Sequence, residues 1–208
     1  MQYFVRQVKK RINKRLEAHF HQDFGMGVAN TIMALAEGVE VMHTTVLGVG
    51  ERAGNTPMEE TVMALLTMYG VDVGLDYTKL TSLANLVQKI TGVAVPSNKP
   101  IVGKALYQIE SGIIASWYKN CGEEYATELF PVRWNAVGQP APIVVMGKGS
   151  GIDSVKMWLE QMGIEASDEE ALMITAAVKK YSLNSKQLLT EDEFRKVAQG
   201  VIGQRAAA

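Results

Sequence analysis

The sequence is short of most features that would place it outside the ordinary globular class. It has one cysteine, Cys121, in 208 residues. That excludes an intrachain disulfide and predicts a reducing, cytoplasmic setting. Cys121 lies between Asn120 and Gly122 with no CxxC partner, so the thiol is read as a bystander. No apolar run approaches the roughly 18 residues that a membrane span needs. Neither sign of charge dominates, with 21 basic against 22 acidic residues, so no nucleic-acid partner is expected. The N-terminal basic residues Arg6, Lys9, Lys10, Arg11, Lys14 and Arg15 accompany neither an apolar signal core nor the serines of a mitochondrial presequence. They read as a solvated helix face. There is no internal repeat.

What is present is an alternation of short apolar strands and amphipathic helices. Residues 2–13 predict a helix with Phe4, Val5, Val8 and Ile12 on one face. A strand follows near 16–21, then a helix over about 26–37 with Val28, Ile32, Leu35 and Ala36 inward and Gly38 closing it. A second strand spans roughly 39–46. Thr56, Pro57 and Glu59 then read as N-cap, first position and third position of a helix whose apolar stripe runs through Met63, Leu66 and Met68. Residues 16–70 therefore hold β-α units of the kind that build a TIM barrel or a doubly wound sheet. From about 71 to 145 this rhythm stops. Helices are expected at 78–91 and at 104–118, the second around Leu106, Ile109 and Ile113, with prolines punctuating the loops. From 150 onward the chain reads as helical, with Ser167-Asp-Glu-Glu170 and Thr190-Glu-Asp-Glu193 as capping boxes. The tail Gln204-Arg-Ala-Ala-Ala208 is expected to fray.

Chemistry-bearing residues concentrate in the first half. In Leu16-Glu-Ala-His-Phe-His21 the histidines stand at i and i+2, so on a strand both imidazoles point the same way. Asn55 closes the glycine-rich turn Gly48-Val-Gly-Glu-Arg-Ala-Gly-Asn55 after the second strand. Two imidazoles plus a carbonyl oxygen can hold a divalent metal with positions left open for substrate. Asp23 continues the i, i+2 series, either as a third ligand or as a carboxylate orienting an imidazole, the role we favour. His43 stands alone on the next strand and reads as packing. Gly48-Val-Gly-Glu-Arg-Ala53 also fits a dinucleotide-binding fingerprint in outline, but Pro57 delays the helix past the point where a pyrophosphate would sit. Gly147-Lys-Gly-Ser-Gly151 offers either a phosphate cradle or a flexible turn.

Three stretches together resemble the pyruvate carboxyltransferase family of metal-dependent TIM barrels. They are His19-Phe-His-Gln-Asp-Phe-Gly-Met-Gly-Val-Ala-Asn30, Gly48–Asn55 with Met58-Glu-Glu-Thr-Val-Met-Ala-Leu65, and Lys99-Pro-Ile-Val-Gly103 with Glu110-Ser-Gly-Ile113. Val145-Met-Gly-Lys-Gly-Ser-Gly151 is similar to the second subdomain of that family's synthases. The family includes isopropylmalate, homocitrate and citramalate synthases and, more distantly, hydroxymethylglutaryl-CoA lyase. The resemblance implies an α/β fold, the C-terminal part of a TIM (β/α)8 barrel, its last two β-α units, followed by mostly helical subdomains. The expected division is 1–70 as partial barrel, 71–145 as a mixed linker subdomain and 146–208 as a small helical subdomain. It further implies His19, His21 and Asn55 as ligands of a divalent metal (Mg2+, Mn2+ or Zn2+). Glu51 and Arg52 would then be structural partners within the turn. The first six strands, which carry the family's metal-binding aspartate, have no counterpart here. A truncated product, a homo-oligomer or a complementary chain carrying those strands is the expectation.

The implied activity is a Claisen condensation of an acyl-CoA with a 2-oxo acid. The alternatives are lyase-like C–C cleavage and a non-catalytic subunit. The family's lyases use a cysteine-bearing loop, and Gly48–Asn55 has no cysteine, which favours synthase. One departure concerns proton transfer. Many synthases carry a histidine where this chain has Ile114, and isoleucine moves no proton. Tyr118 and Tyr125 are the candidate substitutes.

Overall fold

The computed structural model describes residues 1–205, with side chains described through Gly203. The chain divides into two compact units, Met1–Leu106 with Trp134–Gln139, and Tyr107–Arg133 with Pro140 onward. The expected 71–145 segment therefore contributes to both. Among the described residues no helix is long and apolar enough to cross a membrane.

The first unit contains α1 (Gln2–Lys9), β1 (Glu17–His19), α2 (Gly27–Ala36), β2 (Val41–His43), α3 (Met58–Tyr69) and α4 (Leu80–Thr91). β1 and β2 pair in parallel with Glu17 opposite Val41, Ala18 opposite Met42 and His19 opposite His43. α2 is the crossover that a parallel pair requires. Alternation sorts the strand faces. Ala18 is buried with Val5, Ala34 and Val39, while Glu17 and His19 point to the opposite, exposed side. Salt links fasten α1 to the end of α2: Arg6 forks onto the Glu37 carboxylate at 2.7 and 2.6 Å. α3 buries Val62, Met63 and Leu65, each worth about 1.5–3 kcal/mol over exposure.

The second unit contains β3 (Gln108–Ile109), α5 (Gly112–Cys121), β4 (Ile143–Val144), α6 (Ile152–Met162), α7 (Asp168–Ser185) and α8 (Glu191–Arg205). β3 and β4 form a second parallel pair. The core lies among α6, α7 and α8, with Phe194, Ile174, Val178, Val155 and Met146 fully buried. Both expected capping boxes form. Ser167 and Glu170 exchange bonds of 2.7 and 3.2 Å, and Thr190 and Glu193 exchange bonds of 2.8 and 3.3 Å.

Several local expectations are corrected. The first helix ends at Lys9, and Phe4 and Ile12 are exposed. The strand expected over 39–46 is three residues long; Thr45 pairs onward with Pro57 as an isolated bridge. Ala36 faces solvent, as does Met68, whose place on the α3 stripe is taken by Leu65. The N-cap of α3 is Pro57, with no side-chain cap. Thr56 is instead buried, its hydroxyl beside that of Thr31 at 3.2 Å. Glu59 serves the preceding turn and makes no capping box. Residues 104–111 are not helical: α5 starts at Gly112, because Ser111 is extended and a Cβ on Gly112 would meet the Gly151 backbone at 2.8 Å. Of the C-terminal tail, α8 runs through Arg205, and Ala206–Ala208 lie outside the described residues.

Candidate metal centre

Backbone pairing assembles the site. Beyond β1 the chain stays extended, and His21 forms an antiparallel bridge with Asn55. Two bonds flank that bridge: Thr56 N–H donates to Phe20 at 3.1 Å and Gln22 N–H to Gly54 at 2.9 Å. The turn carrying Asn55 is folded on itself. Asn55 N–H donates to the Gly48 carbonyl at 2.9 Å, and its side-chain Nδ2 donates to the Val49 carbonyl at 3.3 Å. That last bond directs the amide nitrogen into the turn and fixes which end of the side chain is the oxygen.

The structure brings His19 and His21 together. Their Nε2 atoms are 3.2 Å apart and their rings meet edge to face. Facing imidazole nitrogens share either one proton or one ion. A 3.2 Å separation is short enough for both nitrogens to reach one ion. His21 Nδ1 is buried with no hydrogen-bond partner among the described residues. His19 Nε2 and His21 Nε2 could hold a divalent ion together, and the residue bridged to His21, Asn55, offers an amide oxygen as a candidate third donor. Among the described residues no group of three or more His, Cys, Asp or Glu could hold a metal.

The surroundings differ from expectation in two places. Asp23 orients no imidazole; its oxygens take the Arg52 guanidinium at 2.7 and 3.0 Å. That pairing holds the Asp23 carboxyl below its usual range, the Arg52 bond being the leading cause. It also ties the Gly48–Asn55 turn to the segment after His21. Glu51 contributes little to this, being 4.0 Å from Arg52 and largely exposed. His43 is not core packing. Its ring lies 5.7 Å from that of His19, and its Nε2 is 3.0 Å from Glu17 Oε2. All three histidines of the chain thus form one cluster. The signal for His43 was available: in a parallel pair, a histidine opposite His19 shares its face.

Tyr118 and Tyr125 lie in the second unit. Tyr118 is on α5, its ring 6.4 Å from Phe130, and burial followed by the Glu123 charge pushes its hydroxyl upward. Tyr125 is exposed. Ile114 is half-buried on α5. The Gly147–Gly151 loop is no open phosphate cradle. The Glu110 carboxylate takes the Gly149 N–H at 2.7 Å, and Ser150 Oγ takes that of Gly147 at 2.9 Å.

The HMGL-like family profile matches residues 1–87. Relatives align well beyond that segment. A putative (R)-citramalate synthase CimA of Methanopyrus kandleri is 38% identical over 204 residues, 97% of this chain and 39% of that protein. Homocitrate synthase AksA of Methanothermobacter thermautotrophicus is 38% identical over 203 residues, 98% of this chain and 50% of its own length. Homocitrate synthase 1 of Nostoc is 41% identical over 179 residues, 86% of this chain and 46% of its own length. The chain spans half or less of the length of these curated relatives. With the histidine pair, the Gly48–Asn55 turn and the family profile coinciding on residues 1–87, the chain belongs to the HMGL-like, or pyruvate carboxyltransferase, family.

Proposed function

We propose that this chain carries the closing β-α units of the catalytic barrel of an acyltransferase of the isopropylmalate/homocitrate synthase type, which condenses an acyl-CoA with a 2-oxo acid. The observation that carries the reading is the 3.2 Å approach of His19 and His21 Nε2 beside Asn55. A divalent ion held there (Mg2+, Mn2+ or Zn2+) would supply Lewis acidity to the keto group of the 2-oxo acid. The chain's own residues do the rest of the positioning. The two imidazoles and the Asn55 amide fix one face of the site on a paired backbone, and the Arg52–Asp23 fork holds the turn against the segment after His21. Tyr118 and Tyr125 are the proton-transfer candidates, since Ile114 offers none. Thioester hydrolysis releases free CoA and drives the reaction forward.

Two imidazoles and one amide provide no anionic ligand for a hard cation. We infer that full activity needs further barrel strands, from more of the same polypeptide, a second copy or a complementary chain. The test is twofold. Mn2+ binding followed by its electron paramagnetic resonance signal is expected to weaken at least about tenfold in His21→Ala, since a ligand is lost. Thiol release from acetyl-CoA with pyruvate, 2-oxoisovalerate, 2-oxoglutarate or oxaloacetate is expected only when chains bearing the remaining strands are added. Unchanged Mn2+ affinity in both His19→Ala and His21→Ala overturns the site. Thiol-independent cleavage of a 3-hydroxyacyl-CoA would favour the lyase reading, and inactivity of the complemented complex the non-catalytic one.

A further inference from the structure

Glu59 is a buried carboxylate with an unusual task. It sits near the start of α3 and is 1% exposed. Burial is the leading influence on it and pushes its carboxyl above the usual range. A carboxylate in such a place is retained only where partners hold it. Its Oε2 accepts the Leu47 N–H at 2.9 Å. Its Oε1 faces Lys99 Nζ at 3.5 Å, and the same ammonium reaches Glu60 Oε1 at 2.5 Å. Lys99 is itself largely covered, with 16% of its side chain exposed.

Leu47 is the residue that needs holding. Its φ is 61°, in the left-handed region that a leucine rarely adopts. The turn depends on it, because Gly48 and Val49 follow directly, and their carbonyls are the two acceptors that fix the Asn55 backbone and side chain. Lys99 thus faces Glu59 as an ion pair, Glu59 accepts from the Leu47 N–H, and the Gly48 and Val49 carbonyls that follow Leu47 accept from Asn55.

We propose that Glu59, steadied by Lys99, is a positioning residue for Asn55: it locks the left-handed Leu47 and so aims the amide at the histidine pair. The link to metal affinity rests on the function proposed above; the link to the turn does not. Two readouts on the full chain separate them. The first is hydrogen exchange of the Leu47 amide together with the Asn55 side-chain NH2 resonance. The second is Mn2+ affinity. In Glu59→Ala the Leu47 amide is expected to exchange about tenfold faster and Mn2+ affinity to fall about tenfold, the scale set by loss of an orienting partner. Glu59→Gln keeps an acceptor oxygen for Leu47 and is expected to restore most of both. Glu60→Gln keeps a neutral acceptor beside Lys99 and leaves the Glu59–Leu47 bond untouched, so both should stay within about twofold. Native exchange at Leu47 in Glu59→Ala overturns the proposal. If that variant does not fold, Lys99→Met decides: faster Leu47 exchange supports the proposal, and unchanged exchange overturns it. If Mn2+ binding proves independent of His19 and His21, the metal reading fails while the exchange data still judge the positioning of the turn.

Discussion

Gly50 shows how little room a single residue leaves around Asn55. A Cβ there would come within 2.6 Å of Asn55 Cγ and 2.7 Å of its Oδ1 and Nδ2. Gly50 is not among the residues with positive φ, so the obstacle is the side chain it faces and not its own backbone. Gly50→Ala is expected to displace the Asn55 amide and lower Mn2+ affinity about tenfold, as removal of an orienting contact does. Its melting temperature should stay close to wild type, since the turn is exposed at that point. Calorimetric titration beside a thermal melt checks both, and an unaltered affinity would separate Asn55 from the site. At this scale the histidine pair and Asn55 were legible because alternation and a glycine-rich turn are local properties. The partners of Asp23 and His43 were not. Arg52 lies 29 residues from Asp23 and Glu17 lies 26 residues from His43, so the first pairing follows from the antiparallel His21–Asn55 bridge, the second from the parallel β1–β2 register, and neither from neighbours in sequence.

The starts of α7 and α8 were readable, because a capping box closes within one turn, whereas the start of α3 was not, its Thr56 and Glu59 being engaged elsewhere. Ser167→Ala is expected to cost about 1 kcal/mol, measured by denaturant unfolding, as loss of a hydroxyl N-cap does. The second box adds a pH dependence. The Thr190 N–H, then the Tyr181 hydroxyl and the Thr190 hydroxyl, hold the Glu193 carboxyl below its usual range. A lowered folded value means that its contribution is full above the unfolded value of about 4.3 and disappears as pH falls through the folded one. The penalty of Glu193→Gln should therefore be seen at pH 7 and vanish in strong acid; a penalty independent of pH would show that the charge is immaterial. The two-residue strands β3 and β4 were not legible. Leu106, Ile109 and Ile113 sit at helical spacing, and two residues are too few to display a period of two. The close approach of Gly112 to Gly151 decides the matter against a longer helix, and that contact spans 39 positions of chain.

The chain forms two compact units where the sequence suggested three consecutive segments. Trp134–Gln139 returns to the first unit after the chain has entered the second. Thr81 Oγ1 donates to the Val137 carbonyl at 2.6 Å, Gln139 Nε2 donates to Gly103 at 3.2 Å, and a Cβ on Gly138 would strike the Thr78 carbonyl oxygen. No composition shift marks such a return, because the six residues carry ordinary apolar and polar types. In the second unit Phe194 is fully buried with its ring 5.2 Å from Trp158. Phe194→Ala is expected to cost about 3–5 kcal/mol, the transfer term plus the cavity. Trp158 fluorescence offers the reporter. A loss under about 1 kcal/mol would mean that the core collapses to fill the space.

The clustering of all three histidines on one exposed sheet face has a practical corollary. Imidazoles spread over a surface give a protein little grip on a chelated nickel or cobalt resin, whereas a pair whose nitrogens already stand 3.2 Å apart can seize one coordination sphere together. The untagged chain is expected to be retained on such a resin and released by imidazole, and the doubly substituted His19→Ala, His21→Ala chain to pass in the flow-through. Purification would then report on the arrangement of these side chains before any assay is run.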